Sequence, residues 1–138
     1  MQTEYKVEGG DFTHAGYASS QIKKILKNLN VPPEIIKRVV VSLYEAEVNI
    51  VAHAFKGVIS ADISNSGIRL ILDDEGPGIP DIDIAMTKGY STASPKVREM
   101  GFGAGMGLPN IKENADRFDI SSRVGEGTRV TIEIDFTG

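Results

Sequence analysis

The stretch PPEIIKRVVVSLYEAEVNIVAHAFKG, residues 32–57, decides the fold. Its Val39-Val40-Val41 run invites a strand, but the length and both end signals favour a helix. Pro32-Pro33-Glu34 opens it, because proline is tolerated in the first turn, where its missing N–H would go unpaired anyway. Gly57 supplies the stop. Roughly 24 residues lie between, about 36 Å of helix. From Val39 to Ala54 this helix is apolar almost all round, which predicts burial on most sides.

Among the polar residues that interrupt that apolar surface, three are regularly spaced. Glu45, Asn49 and His53 recur at intervals of four and so share one face. A carboxylate and a carboxamide on such a helix are costly unless they are paired or face a cleft. Glutamate can accept a proton, and an amide oxygen can help complete the octahedral shell of magnesium without adding charge. The plainer alternative is a helix edge facing water. Glu47 points away from this face, and exposure to solvent is its expected state.

On the N-terminal side, Glu4–Glu8 alternates polar and apolar residues as a short strand does, and Gly9-Gly10 ends it. Asp11 then caps a helix whose apolar stripe is Ala15, Ala18, Ile22, Ile25, Leu26 and Leu29. On the C-terminal side, Val58–Asn65 and Ile68–Asp73 form a hairpin through Ser66-Gly67. A long segment rich in Gly, Pro, Ser and Thr runs from Glu75 to about Met106. Connections of that length within a compact domain are usually functional or disordered. A helix over Leu108–Asp116 and the strands Phe118–Arg123 and Arg129–Phe136, turned by Gly125-Glu126-Gly127, complete the chain. The order predicts a single α+β domain spanning residues 1–138, a two-layer sandwich with a mixed, mainly antiparallel sheet and helices on one face.

Composition narrows the function. The 138 residues carry 15 Lys and Arg against 19 Asp and Glu, a net charge of −4. With no basic run, nucleic acid and anionic membrane are poor candidates for the main partner. The absence of cysteine removes disulfides, thiolate zinc sites and thiol nucleophiles. No apolar run approaches the ~18 residues of a membrane span, and the first residues do not begin a secretory signal. The expectation is a soluble, cytoplasmic domain.

Glycine is in excess, at 15 residues, and the excess is local, concentrated between Gly76 and Gly107. Yet neither Gly-x-Gly-x-x-Gly nor Gly-x-x-x-x-Gly-Lys-Ser/Thr occurs, so both common phosphate loops are excluded. His-Glu-x-x-His and Gly-x-Ser-x-Gly are also missing, leaving no frame for a zinc hydrolase or a serine triad. Two other glycine-bearing segments remain. Asp73-Asp74-Glu75-Gly76-Pro77-Gly78-Ile79 follows a strand and offers a fixed acceptor, suited to an exocyclic amine such as adenine N6, beside an approachable backbone. A plain turn fits the same residues equally well. Gly101-Phe102-Gly103-Ala104-Gly105-Met106-Gly107-Leu108 enters a helix, so its N–H groups and the helix start favour an anion. A hinge is the alternative there.

Taken together, Glu45-x-x-x-Asn49, Asp74-x-Gly76-x-Gly78-Ile79, Gly103-x-Gly105-x-Gly107-Leu108 and Gly127-Thr128 resemble the four ordered boxes of the GHKL ATP-binding superfamily. That superfamily includes gyrase, histidine kinases and mismatch-repair ATPases. The small size and the stretches Gly76–Ile82, Gly89–Thr92 and Gly103–Pro109 resemble the bacterial anti-sigma-factor serine kinases, in particular the switch kinase of the stressosome.

The resemblance implies ATP and Mg²⁺ as cofactors. It implies Glu45 as the base, Asn49 as the magnesium ligand and Asp74 as the acceptor from adenine. Gly76, Gly78, Ile79 and Thr128 would complete the adenine site, while Gly103, Gly105, Gly107 and Leu108 would contact phosphates. Residues 80–102 would form a lid, with Lys88, Lys96 and Arg98 as candidate phosphate cations. The implied activity is transfer of phosphate to a serine on a STAS-domain antagonist, within a circuit that includes a sigma factor or a phosphatase regulator. A homodimer is compatible with this reading. The alternative is a nucleotide-gated ATP-binding module or ATPase subunit without kinase activity.

Overall fold

The computed structural model describes residues 1–79, 82, 86 and 107–136. Five strands form one sheet: β1 (Gln2–Glu8), β2 (Lys56–Ile63), β3 (Gly67–Glu75), β4 (Arg117–Arg123) and β5 (Gly127–Asp135). Their spatial order is β1-β2-β3-β5-β4. Every described pair is antiparallel, so the mixed sheet of the sequence reading is here purely antiparallel. Among the described residues, the α-helices α1 (Tyr17–Asn28), α2 (Pro33–His53) and α3 (Gly107–Asn114) accompany it.

Strand alternation divides the sheet into two faces. Ile59, Ala61, Leu70, Leu72, Val130, Ile132 and Ile134 point inward and are nearly inaccessible to solvent. They meet Ile22 and Leu26 of α1, Val39, Leu43 and Ile50 of α2, and Ile111 of α3 in one core. The outward face carries charge. Arg129 pairs with Asp73 at 3.3 Å and Arg69 with Glu133 at 3.6 Å. Such exposed pairs contribute little stability individually.

Two helix ends differ from the sequence expectation. Asp11 does not cap a long helix; its carboxylate binds His14 Nδ1 at 2.8 Å beside a short 3-10 turn over Phe12–His14. The chain then breaks at Gly16, and α1 begins at Tyr17. At the other site, α2 stops at His53 rather than near Gly57. Sheet pairing takes over there: Phe55 N–H donates to the Glu75 carbonyl and Gly9 N–H to the Phe55 carbonyl, both at 2.8 Å. Gly57 lies inside β2, packed against Ile50.

Candidate functional site

Glu45, Asn49 and His53 occupy one face of α2, and each is half-buried. Among the described residues, neither the Glu45 carboxylate nor the Asn49 side-chain amide has a hydrogen-bond partner. Polar groups taken partly out of water on an apolar helix cost free energy unless something satisfies them. Burial holds the His53 imidazole below its usual pKa, which favours the neutral ring.

Glu47 departs from expectation most clearly. It is 2% exposed, and its carboxylate gathers the start of α1. Oε2 accepts from Gly16 N–H at 3.0 Å and Ala18 N–H at 3.2 Å. Oε1 accepts from Ser19 N–H at 3.1 Å and from the Ser19 hydroxyl at 2.8 Å. A helix start leaves N–H groups without intrahelical partners and favours negative charge. Glu47 supplies that cap from another helix.

The central strand ends in a second cluster. Asp73 of β3 stands opposite Arg129 of β5, and just past this pair Asp74 Oδ1 accepts the Thr128 N–H at 3.1 Å. Asp74 is half-buried, and among the described residues its other carboxylate oxygen has no partner. Desolvation raises its pKa; the Thr128 N–H opposes that rise, and the Asp73 charge adds to it. Ser122 ties the cluster together. Its Oγ accepts from Ile79 N–H at 2.7 Å, reaches the Gly127 carbonyl at 3.0 Å and meets Thr128 Oγ1 at 2.9 Å.

Close backbone approaches explain two glycines here. A Cβ on Gly78, whose φ is +76°, would lie 2.4 Å from the Arg123 carbonyl oxygen. A Cβ on Gly127, whose φ is +151°, would lie 1.9 Å from the Asp74 carbonyl oxygen. Both separations are far inside contact distance, so β3, its exit and the β4–β5 turn fit only without side chains at these positions. Gly76 is buried with its Cα facing the end of α2: a Cβ would sit 2.9 Å from Ala54 Cα. The exit of β3 therefore abuts the end of the helix that carries Glu45, Asn49 and His53.

Gly107 is the first residue of α3 and Leu108 is half-buried against the core. The helix packs chiefly on α2. Arg38 fastens its far end, donating from Nε to the Asn114 carbonyl at 2.9 Å and from Nη2 to Asp116 at 3.0 Å. Asp116 in turn accepts the Asp135 N–H at 2.7 Å. That bond and the Arg38 guanidinium hold the Asp116 carboxyl below the usual range.

The structure thus gathers Asp74, Gly76, Gly78, Ile79 and Thr128 into one cluster beside the end of α2. Gly103, Gly105, Lys88, Lys96, Arg98 and nearly all of the expected lid lie outside the described residues. Ser122 carried no signal of its own in the sequence; only strand register brings it to Thr128. Among the described residues, no group of three or more His, Asp or Glu side chains is placed to hold a metal. The described residues instead present hydrogen-bond acceptors: an amide oxygen on α2, a partly satisfied carboxylate on β3 and a hydroxyl oxygen on β5.

Comparison with known proteins finds similar sequences and a similar fold. Residues 34–138 match the family described as histidine kinase-, DNA gyrase B- and HSP90-like ATPase. The chain is 38% identical over 97 residues to the serine/threonine-protein kinase RsbT of Bacillus subtilis, covering 67% of each chain. It is 29% identical over 119 residues to an anti-sigma F factor of a Thermoanaerobacter species, covering 83% of this chain and 80% of that one. The crystal structure of RsbU and RsbW domains from Mycobacterium tuberculosis shares the fold, with a TM-score of 0.63 at 14% identity. That match covers 97% of this chain but 32% of the longer protein.

Proposed function

The chain belongs to the histidine kinase-, DNA gyrase B- and HSP90-like ATPase family, and on that premise we propose that it is an ATP-dependent protein serine kinase of the anti-sigma regulatory type. Its substrate in this reading is a serine on a STAS-domain antagonist in the cytoplasm, and residues 1–138 act as one ATP-binding domain. The observation that carries the proposal is the half-buried, unpartnered pair Glu45 and Asn49, four residues apart on an otherwise apolar helix. The likeness to RsbT supports the reaction class.

ATP supplies the phosphoryl group when bound, and Mg²⁺ offsets the charge of its phosphates. Asn49 would hold the metal through its amide oxygen. Asp74 would accept a hydrogen bond from the adenine amine, with Gly76, Gly78, Ile79 and Thr128 around the base. Gly103, Gly105, Gly107 and Leu108 would turn backbone N–H groups toward the phosphates. Glu45 takes the serine proton as the serine oxygen bonds to the γ-phosphorus and the bridging oxygen leaves with ADP.

Incubation with Mg-ATP and candidate STAS-domain proteins, followed by intact mass spectrometry of every chain, tests this. One added phosphate on a partner, absent with Glu45→Ala, is the expected result. Tight ATP binding with no transfer to any partner would replace the kinase with a nucleotide-gated binding module.

A further inference from the structure

A groove of about 630 Å³ runs between the C-terminal half of α1 and the first turns of α2. Lys23, Lys27 and Lys37 stand at it, while Val31, Ile36 and Val40 give it an apolar lining. Val31 and Ile36 are buried and Val40 is half-buried, whereas all three lysines are exposed. The groove shares no residue with the nucleotide cluster described above.

Its charge is out of keeping with the chain. The protein has a net charge of −4, yet no acidic residue occurs between Asp11 and Glu34, a span that holds Lys23, Lys24 and Lys27. Lys23 and Lys27 are one turn apart on α1, a spacing at which like charges repel. Among the described residues, none of the three groove lysines has a carboxylate partner. Cations around an apolar trough present both halves of a complementary surface: carboxylates for the rim and apolar side chains for the floor.

The groove also leads toward the proposed base. Lys37, Val41, Glu45 and Asn49 form one row at intervals of four along α2, and Val41 lines the groove. Glu45 is the next residue in that row, about 6 Å further along the axis. A chain seated in the groove and crossing α2 along this row arrives at Glu45.

We propose that this groove docks the protein substrate through an acidic segment with interspersed apolar side chains, flanking the serine to be phosphorylated. The inference rests on the kinase reading and adds to it the location and chemistry of substrate recognition. Its occupant is a partner protein; a second copy of this chain and an anionic membrane are the competing occupants.

The test uses a fluorescein-labelled peptide of alternating glutamate and leucine with one central serine, and a control with lysine in place of glutamate. The full chain should bind the acidic peptide, more weakly as salt rises, and should bind the basic control far less. Lys23→Glu with Lys27→Glu and Lys37→Glu should weaken acidic-peptide binding at least tenfold while leaving ATP affinity by calorimetry unchanged. If the reversed chain melts abnormally, the triple Lys→Gln variant should still weaken binding several-fold. Equal binding of the two peptides, or no loss in either variant, overturns the proposal. So does dissociation of a dimer on charge reversal, or wild-type co-sedimentation with phosphatidylserine vesicles that the variant loses. Wild-type protein that binds ATP but not the acidic peptide fails this inference alone; protein that binds no ATP fails the kinase reading itself.

Discussion

The Ser122 hydroxyl has one proton to give and three polar neighbours. Ile79 N–H can only donate and the Gly127 carbonyl can only accept, so the Ser122 proton goes to Gly127. Thr128 must then donate to Ser122 across their 2.9 Å contact, leaving only lone pairs on the Thr128 oxygen for anything else. An acceptor-only oxygen suits the amine of adenine and disfavours the 6-oxo group of hypoxanthine. Ser122→Ala frees the Thr128 hydroxyl to turn. We expect ATP affinity to fall roughly fivefold, about 1 kcal/mol, with inosine triphosphate binding unchanged or tighter. Calorimetric titration with both nucleotides checks this, and an equal loss for the two would reduce Ser122 to a merely structural role. Asp74 gives a second, opposite-signed pair of outcomes. Because its folded pKa is raised, the native state binds more protons than the unfolded one as pH climbs above 3.8, and stability falls across that window. Asp74→Asn removes this penalty, so the melting temperature at pH 7 should stay level or rise. ATP affinity should nevertheless drop at least tenfold, because an amide offers one acceptor where the carboxylate has two. In the wild type, ATP affinity should weaken as pH falls, beginning at less acidic values than for an ordinary aspartate. A variant that loses melting temperature and ATP affinity together would contradict both statements.

At the scale of the element, α1 is held by a residue that belongs to α2. Glu47 receives four hydrogen bonds from Gly16, Ala18 and Ser19, and hydrogen bonds to a charged group are worth more than neutral ones. Glu47→Gln keeps the shape but turns an NH₂ toward backbone N–H donors. The expected cost is about 2–3 kcal/mol, read as a lower urea midpoint with an unchanged slope. A loss below half of that would show α1 to be held by its apolar face alone. The same contact marks where the sequence stopped being readable. The start of α2, the two hairpins and the last helix follow from local signals: Pro32-Pro33, Ser66-Gly67, Gly125-Glu126-Gly127 and the apolar spacings. Glu47 reads as a solvated residue because its partners lie 28 to 31 positions earlier in the chain. The stop of α2 differs from the sequence expectation for the same reason: Gly57 is a fair local signal, but Phe55 is claimed by strand pairing on both sides. Of the residues in the proposed site, Glu45, Asn49, Asp74 and Thr128 stand out in the sequence because each brings its chemistry with its residue type. Ser122 does not, since a serine on an edge strand becomes a hub only once register sets it beside Thr128.

The whole molecule brings these parts together around α2. Glu47 fixes α1 to it, Arg38 fixes α3, and Gly76 lets the exit of β3 lie against its end. A nucleotide touching Asn49, Asp74, Thr128 and the start of α3 would therefore add a further tie among elements that already meet at α2 and at the Asp74–Thr128 contact. Anything that binds only the folded state stabilises it by mass action, about 2.7 kcal/mol at a hundredfold excess over Kd. For a domain of this size that corresponds to a rise in melting temperature of roughly 8–10 °C. We expect this rise with Mg-ATP in the wild type and, nearly undiminished, in Glu45→Ala, because a base for the transferred proton contributes little to ground-state binding. Asn49→Ala should behave differently. Its shift with metal-free ATP should match that of the wild type, while the further rise on adding Mg²⁺ should disappear, since in the proposed mechanism Asn49 holds the metal and not the nucleotide. Thermal melts of the three proteins with no ligand, ATP in EDTA, and Mg-ATP separate these roles in one experiment. If Asn49→Ala reduced the metal-free and metal-bound shifts equally, the residue would be contacting the nucleotide directly and its metal role would have to be abandoned.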